Sequence, residues 1–558
     1  MSKRRTCGVI RSLQLAVAWL LACALVASAQ AEALWTPADI ALSRHVPREA
    51  EATDSPAYEA DPLGLILVVE AGGSHVTILD GEKLEPIHHF VTRGVHGSPC
   101  FTRDGRFVFF VSRDGWVTKY DLWTLTIVAE VRAGLDSSNI AISPAGDHIA
   151  VANLRPHALV LLDVELNLLK VLPTLDHKGE RSSRVSAVYG LPARRSFIVA
   201  MKDIAELWEV SYDPGAEDMA IGLVHDFQYR EGTFVSGYLN PRRIELDGPL
   251  DDFFFNPEQA ELFGVSSRGE VEVVHLDARR RIGRLPMQGH PDMASSVAWR
   301  RDGRLLMGST GQVSPEIAVI DPQQRALVRR IALKGPGRLL AAHESSRHLL
   351  VVSTMPADSR QVLQAIDRET LEVAREFLAE PEATLAHVEF SRDGGHVLVS
   401  LQRDEGALIV LDSDTLAEVK RLPMKQPVGQ YGVWRRAGLQ GGRALASGRL
   451  AVDSVIGPGG LGVGSRGRLR PCASRRVQLS ARLRTCSGSL PLAHRHELEY
   501  APRLLPLRGC SDDVDPARRS RSFRLPSWQA PGTTDREGPR RQRVVRRVRP
   551  FRRGFRHA

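Results

Sequence analysis

The sequence predicts an all-β protein, an eight-bladed β-propeller, because one unit recurs eight times between about residue 60 and residue 425. Each copy has a turn, an apolar strand, a short break, a second strand that ends on Asp, and a connecting strand. Self-similarity at a period of roughly 40–50 residues is typical of propellers. The copies begin near Gly64, Phe101, Ile142, Gly190, Phe255, Trp299, His343 and Glu389.

The individual copies contain the turn and strand signals that a blade needs. The clearest copies are FTRDGRFVFFVSRDGWVTKYDLW from Phe101 and EFSRDGGHVLVSLQ from Glu389. Their Asp-Gly turns suit tight connections, and their short apolar runs suit strands buried between neighbouring blades. We expect a strand close to Gly64 to pair with the last blade, because a closed ring leaves no sheet edge open to aggregation.

Residues 1–29 have the pattern of a signal peptide. Lys3, Arg4 and Arg5 precede the apolar run LAVAWLLACALVA, which ends at the small-residue cleavage pattern Ala27-Ser28-Ala29. A second interpretation is that Cys23 is lipidated, since it follows Leu20-Leu21-Ala22. Both interpretations predict a periplasmic propeller, and membrane attachment is expected only if Cys23 carries lipid.

Residues 437–558 form a separate compositional segment, in which the blade pattern is lost. They contain 26 Arg, no Lys and eight Asp plus Glu, a net charge of +18. The whole chain carries +9, so the remainder carries about −9, and the high pI of about 9.4 gives no support for nucleic-acid binding. We expect a disordered basic tail, and we interpret it as the product of a frameshift or misassigned stop near Trp434.

Cysteine usage argues against a disulfide framework and against covalent haem. Cys100 is the only cysteine between residues 30 and 436, and the chain contains no Cys-x-x-Cys-His sequence. No c-type haem is therefore expected.

Four positions interrupt the blade pattern with residues suited to ligand binding. His96 lies in the loop sequence RGVHGSPC immediately before a strand, and His290 occupies a comparable loop in MQGHP. Arg184 precedes the fourth copy and Lys202 follows its first strand, and clustered cations at one end of a channel suit an acidic ligand. An exposed loop histidine, an ordinary turn and solvated surface charge remain the alternatives.

Two segments resemble the d1-haem propeller of cytochrome cd1 nitrite reductase. One is the stretch from His96 through RDGWVTKYDLW, and the other is LIVLDSDTLAEVKRLPMKQPVGQYGVW in the last blade. The resemblance covers roughly residues 60–434. With its export signal and no cytochrome c domain, the chain looks like the NirF family of haem d1 biosynthesis proteins, whereas the related NirN proteins carry an N-terminal c-haem domain.

The resemblance implies a role for each candidate residue. His96 matches the axial ligand of the haem iron, and Arg184 and Lys202 match cations near the carboxylates of the tetrapyrrole. His290 matches one of two distal histidines, whereas the other falls near Asp251. Loss of one imidazolium donor argues against nitrite reduction. Asp251 and His290 remain the expected catalytic pair, although Asp251 could equally be a solvated turn carboxylate.

The function that the resemblance implies is a late step in haem d1 biosynthesis for dissimilatory nitrite reductase, part of denitrification. The chain would bind haem d1 or its precursor non-covalently in the channel. It would act on an intermediate derived from didecarboxysirohaem, either by dehydrogenating a side chain or by modifying the propionates. One alternative is a non-catalytic carrier that delivers the cofactor to nitrite reductase. A second is a generic protein-binding propeller. Expected partners are the tetrapyrrole, nitrite reductase and other maturation proteins, but no nucleic acid.

Overall fold

The computed structural model describes residues 35–47, 53–226, 231–353 and 358–437. The predicted signal peptide and the predicted tail beyond Ala437 lie outside these ranges. Within them, no helix is both long and apolar enough to cross a membrane.

Eight four-stranded antiparallel sheets form the blades, which confirms the predicted eight-bladed propeller. The innermost strands of neighbouring sheets contact each other, and together they surround the central channel. The strands are β1 (Ile66–Glu70), β2 (His75–Asp80), β3 (Glu85–Val91), β4 (Val95–Phe101), β5 (Phe107–Ser112), β6 (Trp116–Asp121), β7 (Thr126–Arg132), β8 (Asp136–Ile142), β9 (His148–Arg155), β10 (Ala158–Asp163), β11 (Leu168–Pro173), β12 (Val185–Leu191), β13 (Ser196–Met201), β14 (Glu206–Ser211), β15 (Met219–Asp226), β16 (Glu231–Val235), β17 (Pro241–Glu245), β18 (Leu250–Phe255), β19 (Glu261–Ser266), β20 (Val271–His275), β21 (Arg280–Leu285), β22 (Val297–Arg301), β23 (Arg304–Thr310), β24 (Glu316–Asp321), β25 (Ala326–Ala332), β26 (Leu339–Ala342), β27 (His348–Val352), β28 (Val362–Asp367), β29 (Glu372–Leu378), β30 (Thr384–Phe390), β31 (His396–Gln402), β32 (Gly406–Asp412), β33 (Glu418–Met424) and β34 (Pro427–Gly432).

The ring closes where the two ends of the propeller meet in one sheet. Strand β34 pairs antiparallel with β1, with Leu67 opposite Tyr431 and Ile66 opposite Gly432. The first blade therefore has the order β34, β1, β2, β3 from the channel outwards. This pairing confirms the expected closure, and it leaves neither strand with an unpaired edge at the join.

Asp-Gly turns and strand-ending aspartates stabilise the blades as the sequence suggests. In one such turn, Ser391 donates a hydrogen bond to Asp393 at 2.6 Å. Gly394 has a φ of +75°, and a Cβ there would lie 2.2 Å from the Ser345 hydroxyl oxygen, so the turn requires glycine. At the end of β32, Asp412 accepts hydrogen bonds from the Thr415 amide and hydroxyl, and these bonds lower the pKa of Asp412.

In the part of the chain that the structure describes, one β-hairpin and two α-helices lie outside the eight four-stranded sheets. The β15–β16 hairpin is inserted between β14 and β17 of the fourth blade. Helix α1 (Pro37–Ser43) packs against β7 and β11, is capped by Thr36 and buries Ile40. Helix α2 (Val433–Arg436) follows β34 at the end of the last channel-lining strand.

A buried histidine on a channel-lining strand makes stability depend on pH. His387 on β30 is 3% exposed, and burial lowers its pKa to about 4. An unfolded chain binds this proton near pH 6.5, so the stability from the neutral imidazole is present above that pH and is lost as the pH falls towards 4.

We expect the free energy of unfolding to fall by up to about 3 kcal/mol as the pH drops through this window. Chemical denaturation of the wild type at pH 7 and pH 4.5 measures the loss. His387→Gln has no titratable side chain at this position, so its stability should depend less on pH. Equal pH dependence in the two proteins would contradict the explanation.

Candidate functional site

The channel-lining strands all begin at one end of the channel, which we call the first mouth. Strands β12 and β18 begin there, and β13, which is antiparallel to β12, ends there with Met201 opposite Val185. The loop before β22 also lies at this end. The first mouth therefore contains all five predicted site residues: His96, Arg184, Lys202, Asp251 and His290.

Asp251 lies at the centre of an ionic cluster. The Lys202 ammonium nitrogen is 2.8 Å from Asp251 Oδ1, and His290 Nε2 is 3.7 Å from Asp251 Oδ2. The side chain of Lys202 is 39% exposed, that of Asp251 20% and that of His290 26%, so each is reachable from the mouth. The structure thus brings together three residues that are up to 88 positions apart in the sequence.

A β-bulge gives Asp251 its position. The register between β18 and β19 shifts between Leu250 and Asp252, so Asp251 has no partner in the ladder. A bulge of this kind redirects the side chain of the extra residue, and bulges are common next to functional sites. The Asp251 carboxylate is therefore positioned by the backbone of β18 as well as by its contact with Lys202.

His290 is held by a loop with a demanding backbone conformation. His290 and Gly289 have φ values of +51° and +77°. The amides of Gln312 and Val313 donate hydrogen bonds of 3.1 Å to the carbonyls of His290 and Gly289, respectively. A Cβ on Gly289 would lie 2.0 Å from the Ser314 hydroxyl oxygen, so only glycine fits there without a shift.

Arg184 is engaged by a carboxylate that the sequence did not single out, that of Asp203. The Arg184 Nη2 donates to Asp203 Oδ1 at 2.6 Å, and Nε donates to Oδ2 at 2.9 Å. These bonds raise the pKa of Arg184, and with the guanidinium charge they lower the pKa of Asp203. Both predicted cations, Arg184 and Lys202, are therefore already paired with acidic side chains of the chain. The sequence had instead led us to expect two cations available to a ligand.

His96 is the second residue of β4, whereas the sequence indicated a loop immediately before a strand. It pairs with Val111 of β5, and the register then shifts before Cys100, so a bulge follows His96 directly. Gly97 begins the bulge with a φ of +72°. The backbone of His96 is thus held by its pairing with Val111 and is followed directly by the bulge. The imidazole of His96 is half buried.

His96 and the Asp251 cluster belong to opposite sides of the ring. His96 is in the second blade, Asp251 is in the fifth, and His290 precedes the sixth. Blades two and six are four apart in a ring of eight, which makes them diametrically opposed. A flat ligand across the first mouth would meet an imidazole from one side and an acid–base cluster from the other.

Three further residues of the first mouth were missed by the sequence analysis. Arg113 and Arg155, at the ends of β5 and β9, flank Asp136 with nitrogen–oxygen distances of 4.0 and 3.7 Å. Their side chains are 67% and 72% exposed. His157, in the next turn, lies 2.8 Å from the Ser182 hydroxyl. These residues could have been identified only by aligning the sequence repeats so that the ends of corresponding strands in different blades match.

The described residues contain no group of three or more His, Cys, Asp or Glu that could hold a metal ion by themselves. The first mouth instead offers separate imidazoles and several guanidinium groups. One imidazole, cations and an apolar channel are the groups that a carboxylated iron tetrapyrrole requires.

Comparison with known proteins assigns the chain to a family. A family model for the cytochrome d1 haem domain matches residues 60–436, so the chain belongs to the cytochrome d1 haem domain family. It is 41% identical over 411 residues to dihydro-haem d1 dehydrogenase of Pseudomonas aeruginosa, covering 73% of this chain and 79% of that protein. A solved structure titled dihydro-haem d1 dehydrogenase NirN in complex with DHE superposes with a TM-score of 0.67 at 41% identity, covering 72% of this chain and 83% of that chain.

The comparisons refine the expected relationship to NirF. Protein NirF of Stutzerimonas stutzeri is 28% identical to this chain, covering 65% of it and 90% of that protein. The resemblance to the d1-haem propeller is therefore confirmed, but this chain is more similar to the NirN dehydrogenase than to NirF, contrary to the sequence-based expectation. Membership in this family supports binding of haem d1 or a precursor and a role in haem d1 biosynthesis.

Proposed function

We propose that the chain is a haem d1 biosynthesis enzyme that dehydrogenates a side chain of a late tetrapyrrole intermediate bound at the first mouth. The observation that carries the proposal is the convergence of Lys202, Asp251 and His290 on the side of the mouth opposite His96. The 41% identity to a protein named dihydro-haem d1 dehydrogenase supports the type of reaction. We further propose that the enzyme acts in the periplasm, on the strength of the signal-peptide pattern in residues 1–29.

The chemistry requires a place for two protons and a path for two electrons. Dehydrogenation of a saturated side chain breaks two C–H bonds, forms one C=C bond and releases two electrons and two protons. The electrons pass to an external one-electron acceptor protein. The chain itself must bind the tetrapyrrole, orient the reacting side chain and accept one proton next to it, and the second proton passes to water.

We assign proton transfer to the Asp251–His290 pair. His290 takes up a proton from the side chain of the substrate, and the Asp251 carboxylate, 3.7 Å from Nε2, orients the imidazole and provides a countercharge. Lys202 fixes Asp251 through its contact of 2.8 Å. Transfer to a positioned base typically contributes a rate factor of roughly 10²–10⁴.

His96 is the residue that would bind the iron of the substrate. Its place on β4, four blades from His290, would hold the macrocycle across the mouth and bring a peripheral side chain towards the base. Arg113 and Arg155 have the longer ion pairs of the mouth and would meet carboxylates at the edge of the macrocycle. Arg184, paired with Asp203, would do so only through its remaining Nη1 group.

The proposal is tested by incubating the purified chain anaerobically with dihydro-haem d1 and ferricyanide as the electron acceptor. We expect a new absorption spectrum and a product lighter than the substrate by two hydrogen atoms, as measured by mass spectrometry. Recovery of unchanged tetrapyrrole from a bound complex would contradict dehydrogenation by this chain.

A carrier function is the second candidate, and one observation favours it. The Asp251 carboxylate is already paired with the Lys202 ammonium group at 2.8 Å, so contacts within the chain hold the cluster together before any substrate binds. In the same experiment a carrier would bind the tetrapyrrole without changing its mass, and would pass haem d1 to nitrite reductase that lacks this cofactor. Transfer without turnover would therefore favour the carrier.

A further inference from the structure

A cavity lies at the end of the channel opposite the first mouth, where the channel-lining strands end. We call this end the second mouth. Its volume is about 440 Å³, within the range of roughly 300–1,000 Å³ found for small-molecule pockets. The ends of β18, β22 and β26 and helix α2 enclose it. The lining residues used below are Phe255, Trp299, His343, Arg368, Trp434 and Arg435.

This cavity is separate from the first mouth. Asp251 is the second residue of β18 and Phe255 is the last, so three residues lie between them and the extended strand separates the two by roughly 13 Å. None of the five predicted site residues lines the cavity of the second mouth. The cavity therefore needs an explanation of its own.

One donor in the cavity wall is buried without a partner. Trp299 is 5% exposed, and its indole Nε1 has no hydrogen-bond partner among the described residues. The far edge of its ring packs near Gly308, where an added Cβ would lie 3.1 Å from Cζ3. Nε1 has less than 1 Å² of accessible surface, so a ligand in the cavity would contact the indole ring and not this N–H group.

A second donor in the wall is the guanidinium of Arg435. Within the described ranges it forms no hydrogen bond and no ion pair, and the nearest acid, Glu389, is already bonded to Arg436 at 2.7 Å. Burial lowers the pKa of Arg435, and the attraction of the Glu389 carboxylate offsets this only in part. Arg435 lies inside the region matched by the d1 haem domain model.

The rest of the wall is aromatic. The rings of His343 and Trp434 meet edge to face with centroids 5.6 Å apart, and Phe255 and Trp299 lie on the strands opposite. Arg368 is not available to a ligand in the same way, because it donates to the carbonyls of His343 and Glu344. The cavity therefore combines flat aromatic surfaces with the guanidinium of Arg435, which has no ion pair within the described ranges.

We propose that the cavity of the second mouth binds a small aromatic carboxylate. The carboxylate accepts hydrogen bonds from the Arg435 guanidinium, and the ring packs among Phe255, Trp299 and Trp434. Charge-assisted bonds from a guanidinium are the strong contacts of such a site, and the aromatic walls favour a planar body. This inference does not depend on the function proposed for the first mouth.

The test is calorimetric titration of the full-length chain with 1-naphthoate as the probe. We expect one molecule bound per chain, and an affinity at least about tenfold weaker for Arg435→Gln, equivalent to about 1.4 kcal/mol. Arg435→Lys keeps the positive charge but loses the planar guanidinium, so it should weaken binding less than Arg435→Gln does. The neutral analogue 1-naphthalenemethanol should bind as weakly to the wild type as naphthoate does to Arg435→Gln.

The matched control is Arg421→Gln, which removes one positive charge from outer strand β33, where Arg421 pairs with Glu380 and Glu418. It should bind naphthoate like the wild type. Absence of binding, or equal binding of the neutral analogue, would overturn the proposal. If Arg435→Gln fails to fold, the comparison of naphthoate with its neutral analogue on the wild type decides.

Discussion

Replacing His96 with alanine is expected to change the absorption spectrum of bound haem d1 from a strongly ligated form to a weaker-field form, and to abolish turnover. Imidazole is a strong ligand for haem iron, and no other group assigned to the mouth by the family resemblance approaches the iron from this side. The protein should remain folded, because His96 is only half buried and lies at the start of β4. Absorption spectroscopy and thermal unfolding of the same sample measure both effects.

His157→Ala provides a matched control, since His157 is a second half-buried imidazole at the first mouth. It lies in the third blade, next to the blade of His96, and contacts Ser182. The control variant should keep the wild-type spectrum. A normal spectrum for His96→Ala with a changed one for His157→Ala would show that the iron ligand has been assigned to the wrong residue.

The second large effect is expected from the Asp251–His290 pair. His290→Ala and Asp251→Asn should each reduce kcat by roughly 10²–10⁴-fold, because each removes part of the group that accepts the proton. The spectrum of the bound tetrapyrrole should stay close to that of the wild type, since His96 is unchanged. Stopped-flow measurement of turnover and the equilibrium spectrum separate the two properties.

Lys202→Met distinguishes proton transfer from simple binding at this cluster. If Lys202 acts by fixing Asp251, this variant should lower kcat by less than either catalytic variant and should leave the affinity nearly unchanged. A large loss of affinity with unchanged kcat would instead assign Lys202 to carboxylate binding. Unchanged kcat in both His290→Ala and Asp251→Asn would contradict the proposed acid–base role.

The fold could be predicted because its information is local and repeated. The turn at Ser391, Asp393 and Gly394 specifies the same geometry whether or not the neighbouring blades are known. Each sequence repeat supplies the outer three strands of one blade and the first strand of the next, as β5 to β8 do from Phe107 to Ile142. Because each repeat contributes its last strand to the next blade, eight repeats form eight blades, and the ring closes near Gly64.

The site could be predicted only in part, because its contacts join blades. Loop position placed His96 and His290 at the first mouth, but the contacts of Asp251 with Lys202 and His290 depend on a bulge in β18 and on the register between blades. The pairing of Arg184 with Asp203 was missed for the same reason. The NirF expectation relied on short motifs and the lack of a c-haem motif, whereas identity to NirN is spread along 411 aligned residues.

The most direct test of the account is a crystal structure of the full-length chain with haem d1 bound. We expect the macrocycle to lie at the first mouth, with a nitrogen of His96 on the iron and His290 facing the periphery of the ring from the opposite side. A macrocycle bound at the second mouth, or an iron ligated by any residue other than His96, would contradict it.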